Sequence, residues 1–234
     1  FLIILVLSII GIARPRSVDV LIENSINVID ILLVIDISSS MLADDFQPNR
    51  LEAVKLTASN FIKKRVNDRI GILVFAGESF IQCPLTTDKK VLLSLVNDIS
   101  VISEEYDGTA IGMAIANGTN RLRDTNVNSK VMVLLSDGTN NSGEIDPKTA
   151  SSLASEFNIK IYTIGAGTNN SYTRIPGKGM IVNEIDEEIL KYIAKETEGK
   201  YFRATDFEGL ASIYDEIDNL EKSVIQVKEF NQFK

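Results

Sequence analysis

Three oxygen-bearing side chains follow an apolar stretch in the first quarter of the chain. Residues 32–35 are all aliphatic, and they lead directly to Asp36, Ser38 and Ser40. A buried parallel strand delivers side chains to the edge of its sheet in this way, because it stays apolar until it leaves the core. Carboxylate and hydroxyl oxygens suit a hard cation such as Mg²⁺ better than zinc or copper. The pattern therefore predicts an oxygen-ligated metal site that needs further ligands.

Two other points along the chain are rich in oxygen donors. Asp107-Gly108-Thr109 precedes a predicted helix, and Ser136-Asp137-Gly138 ends an apolar segment. Taken singly, each is ordinary turn or helix-capping chemistry, because Asp, Ser and Gly are common at such positions. A shared site is favoured by the order and spacing of all three oxygen-rich points along the chain, taken together.

The composition excludes several kinds of function. The chain has no histidine, which removes Ser-His-Asp and Cys-His catalysis and His-ligated zinc or haem. A formal net charge of −8 argues against nucleic-acid binding, which needs clustered Lys and Arg. The single cysteine, Cys83, has no partner for an internal disulfide and is expected to be a packed core residue.

Strands and helices alternate along the predicted fold. The strands lack the alternation of a half-exposed sheet and lie at 27–35, 69–75, 130–135 and 158–165. Helical patterns lie at 50–66, 88–98, 109–123, 147–157, 186–197 and 207–222. Residues 168–181 are typical of a loop or a short hairpin. We therefore expect an α/β, Rossmann-like three-layer sandwich whose mostly parallel sheet binds ligands at the carboxyl ends of its strands.

The amino-terminal segment predicts contact with a membrane. Residues 1–13 are uncharged and apolar, and Arg14 and Arg16 follow them. As a helix, thirteen residues span about 20 Å, which is less than the bilayer core of about 30 Å. The segment is interpreted as the end of a transmembrane helix, with a signal-peptide core or a buried strand as alternatives.

The three oxygen-rich points together resemble the von Willebrand factor A domain. Five residues match the pattern of its metal-ion-dependent adhesion site (MIDAS). They are Asp36, Ser38 and Ser40 after the first strand, Thr109 about 70 residues later, and Asp137 followed by a glycine. The resemblance covers roughly residues 28–222.

The resemblance implies a set of metal ligands. Ser38, Ser40 and Thr109 would be direct hydroxyl ligands of Mg²⁺, with Mn²⁺ or Ca²⁺ as alternative ions. Asp36 and Asp137 would act through bound water, or directly when the site rearranges. Such a site is expected to bind an Asp or Glu of a protein partner rather than to catalyse a reaction.

A narrower resemblance is to the bacterial Bat (aerotolerance) membrane proteins of the BatA/BatB type. It is carried by ARP at 13–15, YFRATD at 201–206 and IYDEID at 213–218. It implies a domain between helices of the bacterial inner membrane, on a side that the sequence leaves open. It also implies a link to other Bat proteins, to a MoxR-type AAA+ ATPase, and to stress tolerance or assembly.

The resemblance divides the chain into three parts. Residues 1–16 are expected to be the end of a transmembrane helix and its exit, and 17–222 the von Willebrand A-type domain. Residues 223–234 are expected to be a polar linker towards a further membrane span.

Two alternatives remain for the function. One is a structural domain that binds no metal. The other is a phosphatase-type α/β enzyme with Asp36 as nucleophile, although such enzymes place a second aspartate two positions later, where this chain has Ser38. No glycine-rich phosphate-binding motif follows any predicted strand.

Overall fold

The computed structural model describes residues 28–125, 127, 129–137, 139–167, 172–175, 179–182 and 185–232. The strands in this part of the chain are β1 (Ile29–Asp36), β2 (Arg69–Phe75), β3 (Ser79–Thr86), β4 (Ser129–Ser136), β5 (Ile159–Ala166), β6 (Tyr172–Ile175), β7 (Gly179–Val182) and β8 (Tyr201–Ala204). The α-helices are α1 (Arg50–Lys64), α2 (Lys89–Asn97), α3 (Ile111–Leu122), α4 (Pro147–Glu156), α5 (Glu187–Glu196) and α6 (Phe207–Gln232).

The main sheet has the strand order β3-β2-β1-β4-β5-β8. All of its neighbouring strands are parallel except β3, which runs antiparallel to β2. β1 lies between β2 and β4, and all eight of its residues are buried, which explains why its sequence is apolar from Ile31 to Ile35. Its second residue, Asp30, is a buried carboxylate that pairs with Arg69 at the start of β2. The carboxyl ends of the parallel strands share one edge of the sheet.

Helices cover both faces of the sheet. Alternate β1 side chains point to opposite faces, so that Leu33 packs in one core and Leu32 in the other. The first core includes side chains of α1, α2 and α6, and the second includes side chains of α3, α4 and α5. The predicted Rossmann-like three-layer sandwich with a mostly parallel sheet is confirmed.

Two strands of the main sheet were not predicted from the sequence. β3 contains Pro84 and is only partly buried, as is usual for an edge strand, so it lacks the apolar run that marked the other strands. β8 has only four residues, too few to show a period. Cys83 is buried on β3, as expected. In the segment predicted as a loop or short hairpin, β6 and β7 pair antiparallel.

The last helix runs from the carboxyl edge of the sheet back to the opposite edge. It follows β8, and Glu221 near its middle accepts hydrogen bonds from Ser129 and Lys160, at the starts of β4 and β5. The helix continues to Gln232, whereas the sequence predicted its end at 222 and a linker over 223–234. Residues 223–232 contain no glycine or proline, so nothing in them ends a helix.

The structure does not describe residues 1–27, so the predicted membrane segment over 1–16 lies outside it. Among the described helices, none combines the length and the apolar composition needed to cross a bilayer.

Candidate functional site

Asp36 is the last residue of β1 and lies at the centre of the candidate site. Its side chain is fully buried. One carboxylate oxygen, Oδ1, accepts a hydrogen bond from the backbone N–H of Ser38 at 2.9 Å. The other, Oδ2, accepts one from the Ser136 hydroxyl at the end of β4, at 2.8 Å. Asp36 therefore ties the loop after β1 to the neighbouring strand.

The loop after β1 brings two hydroxyl groups together. A short 3₁₀ turn over Ser39–Leu42 curls the chain, and it places Ser38 Oγ 3.0 Å from Ser40 Oγ. The Ser39 hydroxyl instead donates to Asp107 Oδ2 at 2.6 Å, and the Ser39 N–H donates to Asp107 Oδ1 at 2.9 Å. Ser38 and Ser40 are thus paired at the edge of the sheet, while Ser39 anchors the loop to the segment before Thr109.

Thr109 is held at the same edge by its backbone, and the residue is buried. The next residue, Ala110, donates its N–H to the carbonyl of Ala76 just after β2, at 2.7 Å. The Thr109 N–H donates to Asn141 Oδ1 at 2.8 Å, and the Thr109 carbonyl accepts from the Asn141 N–H at 3.1 Å. These contacts fix Thr109 between the end of β2 and the loop that follows Asp137.

Asp137 follows β4 and is nearly buried, with 7% of its surface exposed. Its Oδ1 accepts a hydrogen bond from the Thr139 N–H at 3.2 Å, and its carbonyl accepts one from the Asp186 N–H at 3.2 Å. Its Oδ2 lies 3.9 Å from a guanidinium nitrogen of Arg50. All five residues predicted as ligands therefore lie at the carboxyl edge of the sheet, with Asp36 at the end of β1 and the other four on the adjoining loops.

The two aspartates repel one another. Burial first, and then the nearby charge of Asp137, raise the pKa of Asp36, and hydrogen bonds from Ser38 and Ser136 lower it, so that the pKa lies at about 7. A divalent cation between them would relieve this repulsion, so the donor set fits such an ion. No group of three or more acidic or cysteine side chains within the described ranges could hold a metal, and the hydroxyl-rich edge is the candidate.

Several contacts that shape the site were not predicted from the sequence. Asp107 was noted only as part of an oxygen-rich point, and it accepts hydrogen bonds from the N–H and the hydroxyl of Ser39. The Asn140 and Asn141 side chains accept from backbone N–H groups at the start of α3, and Arg50 forms a bidentate pair with Asp45. One signal was available in the sequence, because an arginine at the start of the predicted helix 50–66 is unfavourable to the helix dipole and suggests another role.

Relatives of known sequence and structure were compared with the chain. A protein of Borreliella burgdorferi without a described function is 32% identical over 206 residues, which are 83% of this chain and 60% of that protein. BatB from Bacteroides thetaiotaomicron, whose crystal structure is known, has 31% sequence identity to this chain. The two structures superpose with a TM-score of 0.73 over 83% of this chain and 99% of that one. An aerotolerance-related membrane protein from Bacteroides fragilis is 30% identical with a TM-score of 0.72, over 82% of this chain and 97% of that one.

The chain thus spans about 60% of the length of the first curated relatives it matches. The family described as the von Willebrand factor type A domain matches residues 30–216, from the start of β1 into α6. The mostly parallel sheet with helices on both of its faces agrees with that match. The chain belongs to the von Willebrand factor type A domain family.

Proposed function

We propose that the domain is a membrane-tethered, Mg²⁺-dependent protein-interaction module that binds an acidic residue of a partner. The observation that carries the proposal is the 3.0 Å approach of the Ser38 and Ser40 hydroxyls beside the buried carboxylate of Asp36. Thr109 and Asp137 complete the proposed ligand set from the two adjoining loops.

The ligand chemistry supports binding to a carboxylate. Ser38, Ser40 and Thr109 are neutral donors, so they leave most of the charge of a bound ion uncompensated. Mg²⁺ at these oxygens would supply a coordination position that a carboxylate of a partner protein can take from water. Mn²⁺ and Ca²⁺ are the alternative ions.

The surroundings of Asp36 argue against the phosphatase alternative. Both of its oxygens accept hydrogen bonds, and its side chain is fully buried beneath Ser38. A nucleophile must reach its substrate and needs a nearby general acid, but the position two residues later is a serine. We therefore propose a module without catalytic activity.

The proposed setting follows from the relatives. The Bacteroides fragilis neighbour is described as an aerotolerance-related membrane protein, which supports a tether to the bacterial inner membrane and a role in stress tolerance. A MoxR-type AAA+ ATPase and other Bat proteins are proposed as partners on the resemblance alone. Because the chain covers about 60% of its curated relative, the activity of the whole protein is also part of the proposal.

Metal binding is the first prediction. Titration calorimetry with MgCl₂ or MnCl₂ should show one divalent ion bound to the wild type, together with a higher melting temperature. Ser38→Ala removes one direct ligand and should weaken binding about tenfold or more. Ser94→Ala, on the exposed face of α2, is the matched control and should bind like the wild type. The proposal would be contradicted if neither ion changed the melting temperature of the wild type or produced heat of binding in the titration.

Capture of a partner is the second prediction. Membrane extracts of the parent bacterium should yield a protein that the domain retains in Mg²⁺ and releases in EDTA. Asp137→Ala should retain much less of it, because the variant lacks one of the carboxylates proposed to hold the ion. If the same protein stays bound to Asp137→Ala in the presence of EDTA, the metal-bridged mechanism is wrong.

A further inference from the structure

Arg50 is a buried cation beside the proposed metal site. Only 2% of its surface is exposed, although it is the first residue of α1, where a positive charge faces the positive end of the helix dipole. Burying an arginine in such a place is costly unless its charge is paired. The partners of this guanidinium therefore decide what it does to the site.

The guanidinium has one close carboxylate and one more distant one. Its Nε and Nη2 each donate to Asp45 at 2.7 Å, which is the bidentate geometry of a strong pair. Its third nitrogen, Nη1, lies 3.9 Å from Asp137 Oδ2, beyond hydrogen-bond distance. Arg50 is thus directed to Asp45 while it remains within reach of Asp137.

Gly167 closes another side of the guanidinium. Its backbone has φ +139°, and a Cβ atom placed there would come within 2.7 Å of Arg50 Nη2. Only glycine combines this conformation with so close an approach. The guanidinium is therefore enclosed by Asp45, Asp137 and Gly167.

The two carboxylates near Arg50 are assigned different partners in this arrangement. Asp137 is one of the carboxylates proposed to hold the cation, whereas Asp45 offsets the charge of Arg50. Without the Asp45 charge, the guanidinium would turn to Asp137, which is within 4 Å of it. That move would occupy a carboxylate of the metal site and leave an uncompensated positive charge beside the ion.

We infer that Asp45 is a positioning residue, which holds Arg50 away from Asp137 and so keeps Asp137 available to a divalent cation. The inference rests on the proposed metal-binding function. It assigns to the Asp45–Arg50 pair an electrostatic effect on affinity for the ion, beyond a contribution to folding.

The test is a double-mutant cycle read by Mn²⁺ affinity. Asp45→Asn should weaken Mn²⁺ binding about tenfold or more, as loss of supporting contacts around a metal site commonly does. Arg50→Gln should bind Mn²⁺ at least as tightly as the wild type. The double variant Asp45→Asn/Arg50→Gln should recover affinity to within about threefold of the wild type, because the interfering charge is gone.

Glu52→Gln is the matched control, since it removes a carboxylate from the exposed side of the same helix turn and should leave affinity unchanged. Circular dichroism and melting in EDTA report whether each variant folds. If the wild type binds no Mn²⁺, the proposed function fails. If the wild type binds but Asp45→Asn binds equally well, or the double variant stays as weak as Asp45→Asn, only the inference about Asp45 is overturned.

Discussion

The serines of the loop after β1 differ in what their hydroxyls meet. Ser38 and Ser40 face one another at 3.0 Å, whereas Ser39 between them donates to Asp107. The 3₁₀ turn is what separates them, because it rotates successive side chains away from one another. The three consecutive serines therefore have two roles. Ser38 and Ser40 present their hydroxyls at the sheet edge, and Ser39 fixes the loop through Asp107.

Asp36 is expected to destabilise the metal-free protein. Burial and the nearby charge of Asp137 together raise its pKa to about 7, so at pH 8 the fold must hold the ionised Asp36 carboxylate in a buried site near that charge. Asp36→Asn removes one charge and keeps a side chain of similar shape. In EDTA at pH 8 the variant should melt about 2 to 4 °C higher than the wild type.

The same variant should lose the stabilisation that Mg²⁺ gives to the wild type, so the order of the two melting temperatures should reverse in saturating Mg²⁺. Differential scanning calorimetry in the two buffers measures both. A variant that melts below the wild type in EDTA would show that the Asp36 charge is compensated within the protein itself.

The proposed ligands could be found from the sequence because each of them belongs to a short local pattern. Asp36, Ser38 and Ser40 lie within five residues, and Thr109 and Asp137 each adjoin a glycine at the end of a segment. The residues that support them could not be found in this way. Asp107 meets Ser39 across 68 positions of sequence, and that contact depends on how two loops fold over the same sheet edge.

At the scale of elements, α6 is attached to the body of the domain by a series of ion pairs. Its acidic side chains meet basic side chains of α1, of β5 and of the segment before β8, in the pairs Asp215–Lys64, Glu216–Lys200, Asp218–Arg65 and Glu221–Lys160. The first two pairs are about half exposed and contribute little to stability. Glu221 is 1% exposed, so its interactions are not screened by water.

Glu221 should make the stability of the fold depend on pH. Burial alone would raise its pKa, but hydrogen bonds from Lys160 and Tyr162, with a further one from Ser129, outweigh burial and hold the pKa below that of an ordinary glutamate. A lowered pKa in the folded state stabilises the fold above the unfolded pKa of about 4.3. That contribution is lost as the pH falls through the lowered value.

Glu221→Gln should therefore reduce the free energy of unfolding by about 2 kcal/mol at pH 7, since it removes a charged acceptor of buried hydrogen bonds. The difference from the wild type should stay constant between pH 6 and pH 8 and shrink below about pH 4, where the wild-type glutamate also becomes neutral. Urea denaturation at several pH values measures it. Asp215→Asn, in the exposed pair with Lys64, is the control and should change stability by less than about 1 kcal/mol. A difference that persists unchanged at pH 3 would contradict this account.

The strands with long apolar runs could be predicted from the sequence, whereas the strands without such runs could not. The middles of β1 and β4 are buried on both faces, which accounts for the apolar runs Ile31–Ile35 and Val131–Leu135. β3 is an edge strand with one exposed side, and tertiary pairing with β2, rather than its own pattern, makes it a strand. The predicted end of α6 at 222 was wrong, because the helix continues to Gln232 through residues that contain no glycine or proline.

At the scale of the whole molecule, the sheet separates two regions. The loops that carry Asp36, Thr109 and Asp137 lie at its carboxyl edge. The opposite edge holds the start of β1 and the part of α6 around Glu221, which contacts the first residues of β4 and β5. The layered fold could be predicted from alternating strands and helices, and the parallel direction of the strands then requires that the site and the start of β1 be at opposite edges.

This placement has a mechanical consequence. Tension between the loops at the carboxyl edge and the segment that leads into β1 would act along the strand axes. Hydrogen bonds join β1 to β2 on one side and to β4 on the other along its whole length. Because these bonds lie across the line of pull, they would be loaded together in shear instead of opening one after another. Because β1 has parallel partners on both sides, such tension would pass from it to β2 and β4 together.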